Sequence, residues 1–401
     1  MTGDGVAPTI DPRRYDRRLA AARERLAELD AAGLLVGVGA DLRWLTGYAA
    51  MPLERLTMLV LPATGDPSLI VPRLELGAAR QAPAVGSGAL PVVTWEETED
   101  PFALVPGLLG GPVGSPPPGH RERGRQQSAG RLLISDRLPA AFVLRLEAAL
   151  PAASFGLASE ALRDLRMVKD ADEIALLRAA AEAADRVIEA IARGSLVGRT
   201  EEQVAREVRD RLVDEGHEAA AFSIVGSGPN SASPHHAASA RVIEAGEPVV
   251  LDIGGTLRGY GSDVTRTLWV TGGDPSSGPD AEFRALYDVL QRAQAAAVAA
   301  ARPGVPCERV DGVAREIIAA AGYGERFIHR TGHGIGLEEH EDPYLVQGNR
   351  EALRAGHTFS VEPGIYLEGR YGARIEDIVV CGTGGPEALN RLTRELLVVD
   401  G

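Results

Sequence analysis

Lysine and cysteine are scarce in this chain. Lys169 is the single lysine, so a Schiff-base or pyridoxal enzyme would have only this residue as its nucleophile. The chain also lacks the Gly-Lys-Ser/Thr of a phosphate-binding loop and a Gly-x-Ser-x-Gly nucleophile elbow. Cys307 and Cys381 lie far apart and predict neither a disulfide framework nor a thiolate metal cluster. These absences argue against pyridoxal enzymes, against enzymes with a Walker-type phosphate-binding loop and against hydrolases with a serine nucleophile elbow.

Long apolar runs and a surplus of positive charge are missing as well. The longest apolar runs, such as Leu56 to Leu61, are far shorter than the roughly 20 residues that cross a bilayer. Residues 1–14 contain no basic stretch followed by an apolar one, so we expect no secretory signal and a cytoplasmic location. The formal charge of -14 would repel phosphate backbones. We therefore expect neither a membrane nor a nucleic acid as partner.

The length of 401 residues favours two domains, because one compact core seldom holds so many. Hydrophobic residues make up 45% and charged residues 24%, as in ordinary globular proteins. The residue pattern of the sequence changes near Arg163, where apolar positions at helical spacing begin. This change predicts one domain over residues 1–163 and another over 164–401.

The first domain has the alternation of an α/β fold. An amphipathic pattern predicts a helix over residues 15–32. Val105 to Gly130, which includes Pro116-Pro117-Pro118, predicts a mobile surface loop. Strand-like runs occur at residues 34–38, 56–61, 68–71 and 132–135.

The second domain begins with helical patterns. An acidic first turn opens a predicted helix over Asp170 to Arg193, and Thr200 with Gln203 predicts a capping box for the next helix. A third helix is expected over Ala281 to Ala301. Strand-like runs occur at residues 222–225, 248–253, 268–270, 358–361 and 375–381.

Five of the eight histidines fall in two short blocks. His235 and His236 follow a proline, and His329, His333 and His340 lie within His-Arg-Thr-Gly-His-Gly-Ile-Gly-Leu-Glu-Glu-His-Glu. A lone histidine is more often structural than a ligand, but this clustering favours a functional role. The glycines around His333 indicate a tight backbone, with the side chain of His333 facing an open cleft.

Four carboxylates accompany apparent core strands. They are Asp252 after an apolar run, Asp263 in Gly-Ser-Asp-Val-Thr-Arg, Glu362 in Ser-Val-Glu-Pro-Gly and Glu376 in Arg-Ile-Glu-Asp. Either aspartate alone would be read as a turn residue. Unpaired carboxylates in apolar strands are costly, and two divalent cations would balance four such charges. Oxygen-rich ligation with one imidazole suits Mn, and also Co, Fe or Zn.

In their order along the chain, these segments resemble the pita-bread metallopeptidases, and prolidase and aminopeptidase P are the most similar members. The matching positions are Pro-His at His235, Asp252, Gly-Tyr-x-Ser-Asp-x-Thr-Arg at Asp263, Gly-His-Gly-x-Gly at His333, His-Glu-x-Pro at His340, Glu-Pro-Gly at Glu362 and Arg-x-Glu-Asp at Glu376. Residues 44–48, Trp-Leu-Thr-Gly-Tyr, resemble a segment of the same proteins' N-terminal domain. The implied fold class is α/β (α+β), with a creatinase-type N-terminal domain before a pita-bread catalytic domain that has a curved antiparallel sheet.

The resemblance also implies roles for the site residues. Asp252, Asp263, His333, Glu362 and Glu376 would bind two divalent metal ions, with manganese the first expectation and Asp263 and Glu376 bridging. A metal-bridging hydroxide would hydrolyse Xaa-Pro peptide bonds. His340 would stabilise the oxyanion, His235 would contact the substrate near the departing amine, and Glu362 would move the proton. His329, Arg374 and Tyr260 would contact the substrate or hold a ligand carboxylate. The substrates would be short peptides with proline second, and the protein would be a homodimer.

Several alternatives remain open from the sequence. A creatinase-like amidinohydrolase shares both domains but lacks the metal ligands, and a non-catalytic binding protein of this fold would lack them too. Methionine aminopeptidase and a hydrolase of another amide are further candidates. Some prolidases also place an arginine, which can bind a dipeptide's carboxylate, where this chain has Tyr344. Arg350 is a candidate replacement, so Xaa-Pro cleavage is better supported than strict dipeptidase activity.

Overall fold

The computed structural model describes residues 8–110 and 130–400. The chain forms two compact units, one of Ile10–Arg166 and one that contains Met167–Gly401. It passes from the first to the second inside the helix Ser159–Met167. The boundary expected between residues 163 and 164 stays a prediction. Among the described helices, none combines the length and the apolar character that a bilayer-spanning segment needs.

The first unit is built on a six-stranded mixed sheet. Its strands are β1 Ala31–Gly37, β2 Met58–Pro62, β3 Ser68–Pro72, β4 Val92–Trp95, β5 Arg131–Ile134 and β6 Ser154–Leu157, in the order β4-β3-β2-β1-β5-β6. Its helices are α1 Arg13–Glu28, α2 Ala40–Thr46, α3 Leu76–Ala79, α4 Pro83–Gly86, α5 Val105–Leu108, α6 Ala140–Ala149 and α7 Ser159–Met167. Helix α1 buries its apolar stripe, which includes Leu19 and Leu26. The expected alternation of strands and helices is therefore present.

The first predicted helix ends earlier than expected. The prediction of helix over residues 15–32 is wrong at its C-terminal end, because α1 stops at Glu28 and Asp30 takes a left-handed φ of 51°. Ala31 then pairs with Arg131 of β5. Alanine favours helix in isolation, but strand pairing decides its conformation here.

The predicted loop from Val105 to Gly130 is only partly described. Its first residues, Val105–Leu108, form the short helix α5 with Val105 buried, so the prediction is wrong there. Residues 111–129, which include the three prolines, lie outside the described residues.

Trp44 belongs to the core of the first unit. Its side chain is buried, and the guanidinium of Arg18 lies 4.8 Å from its ring centroid. Gly47 caps α2 with a φ of 75°, and a Cβ there would lie 2.6 Å from Pro83. The Trp-Leu-Thr-Gly segment therefore has a packing role, and only glycine fits its last position.

The second unit contains a four-stranded sheet, a five-stranded sheet and a hairpin. The helices are α8 Ala171–Ala192, α9 Glu201–Asp214, α10 Ala281–Ala300 and α11 Cys307–Ala320. The strands are β7 Ala219–Ser227, β8 Glu247–Leu257, β9 Tyr260–Val270, β10 Gly332–Gly334, β11 Glu341–Leu345, β12 Thr358–Val361, β13 Gly364–Leu367, β14 Tyr371–Arg374, β15 Asp377–Gly382, β16 Gly385–Ala388 and β17 Leu397–Val399. The sheet orders are β17-β9-β8-β7 and β11-β10-β12-β15-β16, with β13 and β14 as the hairpin. Apart from the parallel pair β17 and β9, all these strands pair antiparallel.

Each larger sheet of this unit packs with its own helices. Ile188 of α8 and Val204 of α9 share a buried cluster with Leu251 and Val264 of the four-stranded sheet. Leu290 of α10 shares another with residues of the five-stranded sheet. Two helix-on-sheet halves result, with each helix burying one apolar stripe.

The helix starts in the second unit agree with the sequence. Asp170 and Thr200 both form complete capping boxes, with Glu173 and Gln203 as the reciprocal partners. These helices, and the predicted third helix at α10, are confirmed.

Candidate metal centre

Asp252 and Asp263 lie on the paired strands β8 and β9. Asp252 is opposite Thr265, and Gly254 is opposite Asp263. Because residues two apart in a strand share a face, Asp252, Asp263 and Thr265 project from the same face of this sheet. The strand β8 continues to Leu257, so Asp252 is not a turn residue.

His333 is held by the short strand β10 between two glycines. A Cβ on Gly332 would lie 1.9 Å from the carbonyl oxygen of Ser360, so only glycine allows this approach. The Nδ1 of His333 donates to the carbonyl of Gly334 at 3.1 Å, which leaves the lone pair on Nε2. That Nε2 atom lies 3.5 Å from Oδ2 of Asp263 and 3.4 Å from Oε1 of Glu362. Burial and the nearby His340 lower the pKa of His333 to about 3, so its ring is neutral.

Glu362 and Glu376 reach the same place from strand ends. Glu362 directly follows β12, and the hydroxyl of Ser360 donates to its Oε1 at 3.1 Å. Glu376 lies between β14 and β15, where its backbone N–H donates to the carbonyl of Thr265 at 3.1 Å. The Thr265 hydroxyl donates to Oε2 of Glu376 at 2.6 Å. The two glutamates were expected inside strands, and that expectation is wrong by one residue in each case, because Glu362 follows β12 and Glu376 precedes β15.

This cluster has the chemistry of a cation site. Ligand atoms of Asp263, His333 and Glu376 lie within 4.8 Å of one another, and all three side chains are buried. Burial and the neighbouring carboxylates raise the pKa values of Asp263 and Glu376 well above their usual range. Burial raises the pKa of Glu362 to about 7. Buried acceptors crowded in this way fit divalent cations, which supply the missing positive charge.

The hydrogen bonding of Asp252 gives a second indication of a cation site. Its Oδ2 accepts from Nη2 of Arg374 at 2.5 Å, whereas its buried Oδ1 has no hydrogen-bond partner in the described part of the chain. An unpartnered buried carboxylate oxygen is costly. A metal ion beside Oδ1 would remove that cost.

A series of hydrogen bonds links Asp252, through Arg374 and Tyr366, to His329. Nη1 of Arg374 donates to the hydroxyl of Tyr366 at 2.8 Å, and that hydroxyl lies 2.9 Å from Nε2 of His329. The Nδ1 of His329 donates to the carbonyl of Arg330 at 2.8 Å, so its Nε2 accepts from Tyr366. Burial and Arg374 lower the pKa of His329 to about 4, which keeps this acceptor neutral. These hydrogen bonds therefore fix the orientation of the Arg374 guanidinium, which in turn holds Asp252.

These side chains surround a single cleft of about 520 Å³. Most of the residues expected at the site line it: His235, Asp252, Asp263, His329, His333, His340, Glu362, Arg374 and Glu376. His235 and His340 are exposed to solvent, and the His340 ring lies 3.9 Å from that of His333. A cavity of this size suits a short peptide.

Two sequence candidates lie elsewhere. The hydroxyl of Tyr260 donates to Glu173 at 2.9 Å, and Tyr260 does not line the cleft. His236 contacts Oε2 of Glu201 at 2.7 Å and does not line the cleft, so its role is structural.

The comparisons with known proteins agree with this geometry. Residues 175–383 match the model of metallopeptidase family M24. The chain belongs to this family. Residues 18–168 match the creatinase/prolidase N-terminal domain. The predicted family and fold class are therefore confirmed, and the chain is a metal-dependent peptide hydrolase.

The similarity to other M24 proteins extends over nearly the whole chain. It is 46% identical to the probable dipeptidase PepE of Mycobacterium tuberculosis over 392 residues, which are 97% of this chain and 98% of that protein. The crystal structure of dipeptidase PepE from Mycobacterium ulcerans is 46% identical, with a TM-score of 0.86 over 97% of this chain and 99% of that one. A prolidase from Thermococcus sibiricus is 35% identical, with a TM-score of 0.84 over 98% and 100%.

Several residues around this M24 cleft were not expected from the sequence. Tyr366 gave no signal because it carries no charge and stands outside the histidine blocks. Arg330 and Glu339 line the cleft within the second histidine block, where attention fell on the histidines. Phe222 and Ile224 of β7 also line it, and their alternation on that strand was a usable signal.

Proposed function

We propose that this M24 metallopeptidase hydrolyses Xaa-Pro peptide bonds with two divalent cations, manganese being the first candidate. The observation that carries the proposal is the convergence on one cleft of Asp252, Asp263, His333, Glu362 and Glu376. Among the described residues, Oδ1 of Asp252 has no hydrogen-bond partner. Four carboxylates match the charge of two divalent ions. Bound there, such ions would lower the pKa of a water molecule and so supply a nucleophile for a carbonyl at neutral pH.

The chain's own residues divide the remaining work. Glu362 lies beside His333 and can take the proton from the attacking water and pass it to the departing amine. His340 lies in the cleft next to His333, where it can donate a hydrogen bond to the developing oxyanion. His235 lines the same cleft and would contact the departing amine. Arg374 keeps Asp252 in place.

An apolar wall supports a preference for proline. Ile224 of β7 is paired with Asp252 of β8, and Phe222 lies two residues before it. Both line the cleft beside the carboxylates. A pyrrolidine ring has no N–H and is largely apolar, so it suits such a surface. The prolidase from Thermococcus sibiricus, at 35% identity, supports the same substrate class.

A matched substrate panel tests this proposal. Chelated enzyme is assayed on Xaa-Pro dipeptides, Xaa-Pro tripeptides and Xaa-Ala dipeptides, with and without added Mn, and the metal content of the enzyme reloaded with Mn is measured. We expect two metal equivalents and metal-dependent cleavage of the proline substrates. Equal cleavage of Xaa-Ala would replace Xaa-Pro specificity with general dipeptidase activity. Activity that survives complete chelation would favour a creatinase-like amidinohydrolase.

The homodimer is also part of the proposal. Light scattering coupled to gel filtration measures the mass of the particle, and a mass of one chain would contradict it.

A further inference from the structure

Arg330 presents a cation to the cleft from its wall. It lines the cleft together with His340 and Glu362. Its Nη2 atom lies 3.5 Å from Nδ1 of His340, and its guanidinium carbon lies 4.6 Å from the ring centroid of Tyr344. The guanidinium is therefore stacked on one aromatic ring and lies next to a cleft histidine.

Arg330 has no ion-pair partner in the described part of the chain, although its charge acts on the nearby Glu362. Other buried or half-buried arginines of this unit pair with carboxylates, as Arg374 does with Asp252 and Arg315 with Asp311. Among residues 8–110 and 130–400, no carboxylate forms an ion pair with Arg330. A cleft arginine without an acidic partner is suited to an anionic group of the substrate.

Arg350, the replacement considered from the sequence, lies elsewhere. Its side chain is 87% exposed and faces Glu308, with Nε 3.7 Å from Oε1. It does not line the cleft. It therefore cannot contact a substrate whose scissile bond lies at the carboxylate cluster.

A dipeptide needs a cation close to the reacting carbonyl. Its terminal carboxylate is one residue beyond the scissile carbonyl, roughly 3.3–3.6 Å of extended chain. Nδ1 of His340 lies 3.5 Å from Nη2 of Arg330, and the His340 ring centroid lies 3.9 Å from that of His333, so Arg330 lies one side chain away from the carboxylate cluster.

We propose that Arg330 binds the free α-carboxylate of a dipeptide substrate, and that Tyr344 holds the guanidinium in place by stacking. This inference rests on the proposed peptidase function and adds to it a preference for dipeptides over longer peptides. Arg330 acts as a substrate-binding residue and takes no part in proton transfer.

The test compares free acids with amides. Wild type, Arg330→Ala, Arg330→Lys and the surface control Arg350→Ala are assayed on Ala-Pro, Ala-Pro amide, Ala-Ala, Ala-Ala amide and Ala-Pro-Ala. For wild type we expect kcat/KM to be about 10- to 100-fold higher for the dipeptide acid than for its amide. Arg330→Ala should raise KM for the acid by a similar factor, should affect cleavage of the amide much less, and should retain the wild-type metal content. Arg330→Lys should be intermediate, and Arg350→Ala should match wild type.

Other outcomes separate this inference from the proposed function. An equal loss on acid and amide in Arg330→Ala would mean that Arg330 only positions His340, and it would overturn the inference. A wild type that prefers Ala-Pro-Ala would overturn it too. Cleavage of Ala-Ala but not Ala-Pro would overturn proline specificity alone, because the acid-to-amide ratio would still test Arg330. If no peptide is cleaved, the proposed function fails. Calorimetry of chelated protein with Ala-Pro and with Ala-Pro amide then tests Arg330 separately. Equal affinities of wild type for the two compounds would overturn the role of Arg330.

Discussion

Nε2 of His333 lies 3.5 Å from Oδ2 of Asp263, although the two residues belong to different sheets. His333 is on β10 of the five-stranded sheet, and Asp263 is on β9 of the four-stranded sheet. The candidate metal centre is thus assembled from strands of both sheets.

Asp263→Asn should remove a bridging ligand. We expect kcat to fall by at least about 100-fold, because loss of mere supporting contacts around metal ligands already costs 10- to 100-fold. Metal content, measured by mass spectrometry of the purified protein, should fall from two equivalents to one or fewer. The exposed Asp288→Asn is the matched control. Full activity with two bound ions in Asp263→Asn would contradict the bridging role.

Glu362→Gln should change the pH dependence of stability in chelated protein. Burial raises the pKa of Glu362 from 4.5 to about 7 in the folded state. Between these values the folded state holds more protons than the unfolded state, so this carboxyl reduces the free energy of unfolding as pH rises. Without metal, the variant should gain on wild type by up to about 3 kcal/mol between pH 4.5 and 8.

Urea unfolding at the two pH values measures this difference. Added Mn should reverse the order of the two proteins at pH 8, because the variant has lost a ligand. An identical pH dependence in wild type and Glu362→Gln would show that the carboxyl titrates normally.

Tyr366→Phe should impair catalysis without emptying the metal centre. The change removes the hydroxyl between Arg374 and His329, so the guanidinium that holds Asp252 loses its orientation. We expect kcat to fall about 10- to 100-fold, with the folded protein and its metal content retained. Tyr371→Phe, whose hydroxyl accepts from Arg370, is the control. Wild-type kcat in Tyr366→Phe would exclude this positioning role.

Glu201→Gln should loosen the segment that carries His235. Burial raises the pKa of Glu201, but hydrogen bonds from Ser239, His236 and Ser227 outweigh it and lower the pKa to about 2. The stabilisation by the charged form is therefore complete above pH 4.5 and fades as pH falls towards 2. We expect the variant to lose about 1–3 kcal/mol of unfolding free energy at pH 7 and to show a lower kcat/KM. The neighbouring Glu202→Gln is the control in urea unfolding and activity assays.

The convergence of the five expected ligands was predictable because each belongs to a short motif with its own chemistry. Asp263, for example, is a charged residue inside a run that otherwise reads as a core strand. Their roles as ligands stay a prediction. The length of β8 beyond Asp252 was not predictable, since two glycines suggest a turn and only pairing with β9 keeps the strand extended.

Residues that act through orientation were harder to find. Tyr366 is important only because β13 and β14 place its hydroxyl between Arg374 and His329. Arg350 was the only arginine considered from the sequence for the substrate carboxylate, although Arg330 lies inside the second histidine block. Only the folded chain distinguishes a guanidinium in the cleft from one on the surface. Local composition cannot supply that information.

The division of the ligands between two sheets has a consequence for the lifetime of the protein. A divalent ion bound by Asp263, His333 and Glu376 would add a link between two halves that pack around separate clusters and are already joined by contacts such as the ion pair of Arg266 with Asp377. Without the ion, the crowded carboxyl groups would have to take up protons or repel one another, and local opening at this contact would give proteases access to it. Scarcity of the metal would thus shorten the survival of the enzyme as well as stop its turnover, so that the cell's metal supply governs how much of the protein persists.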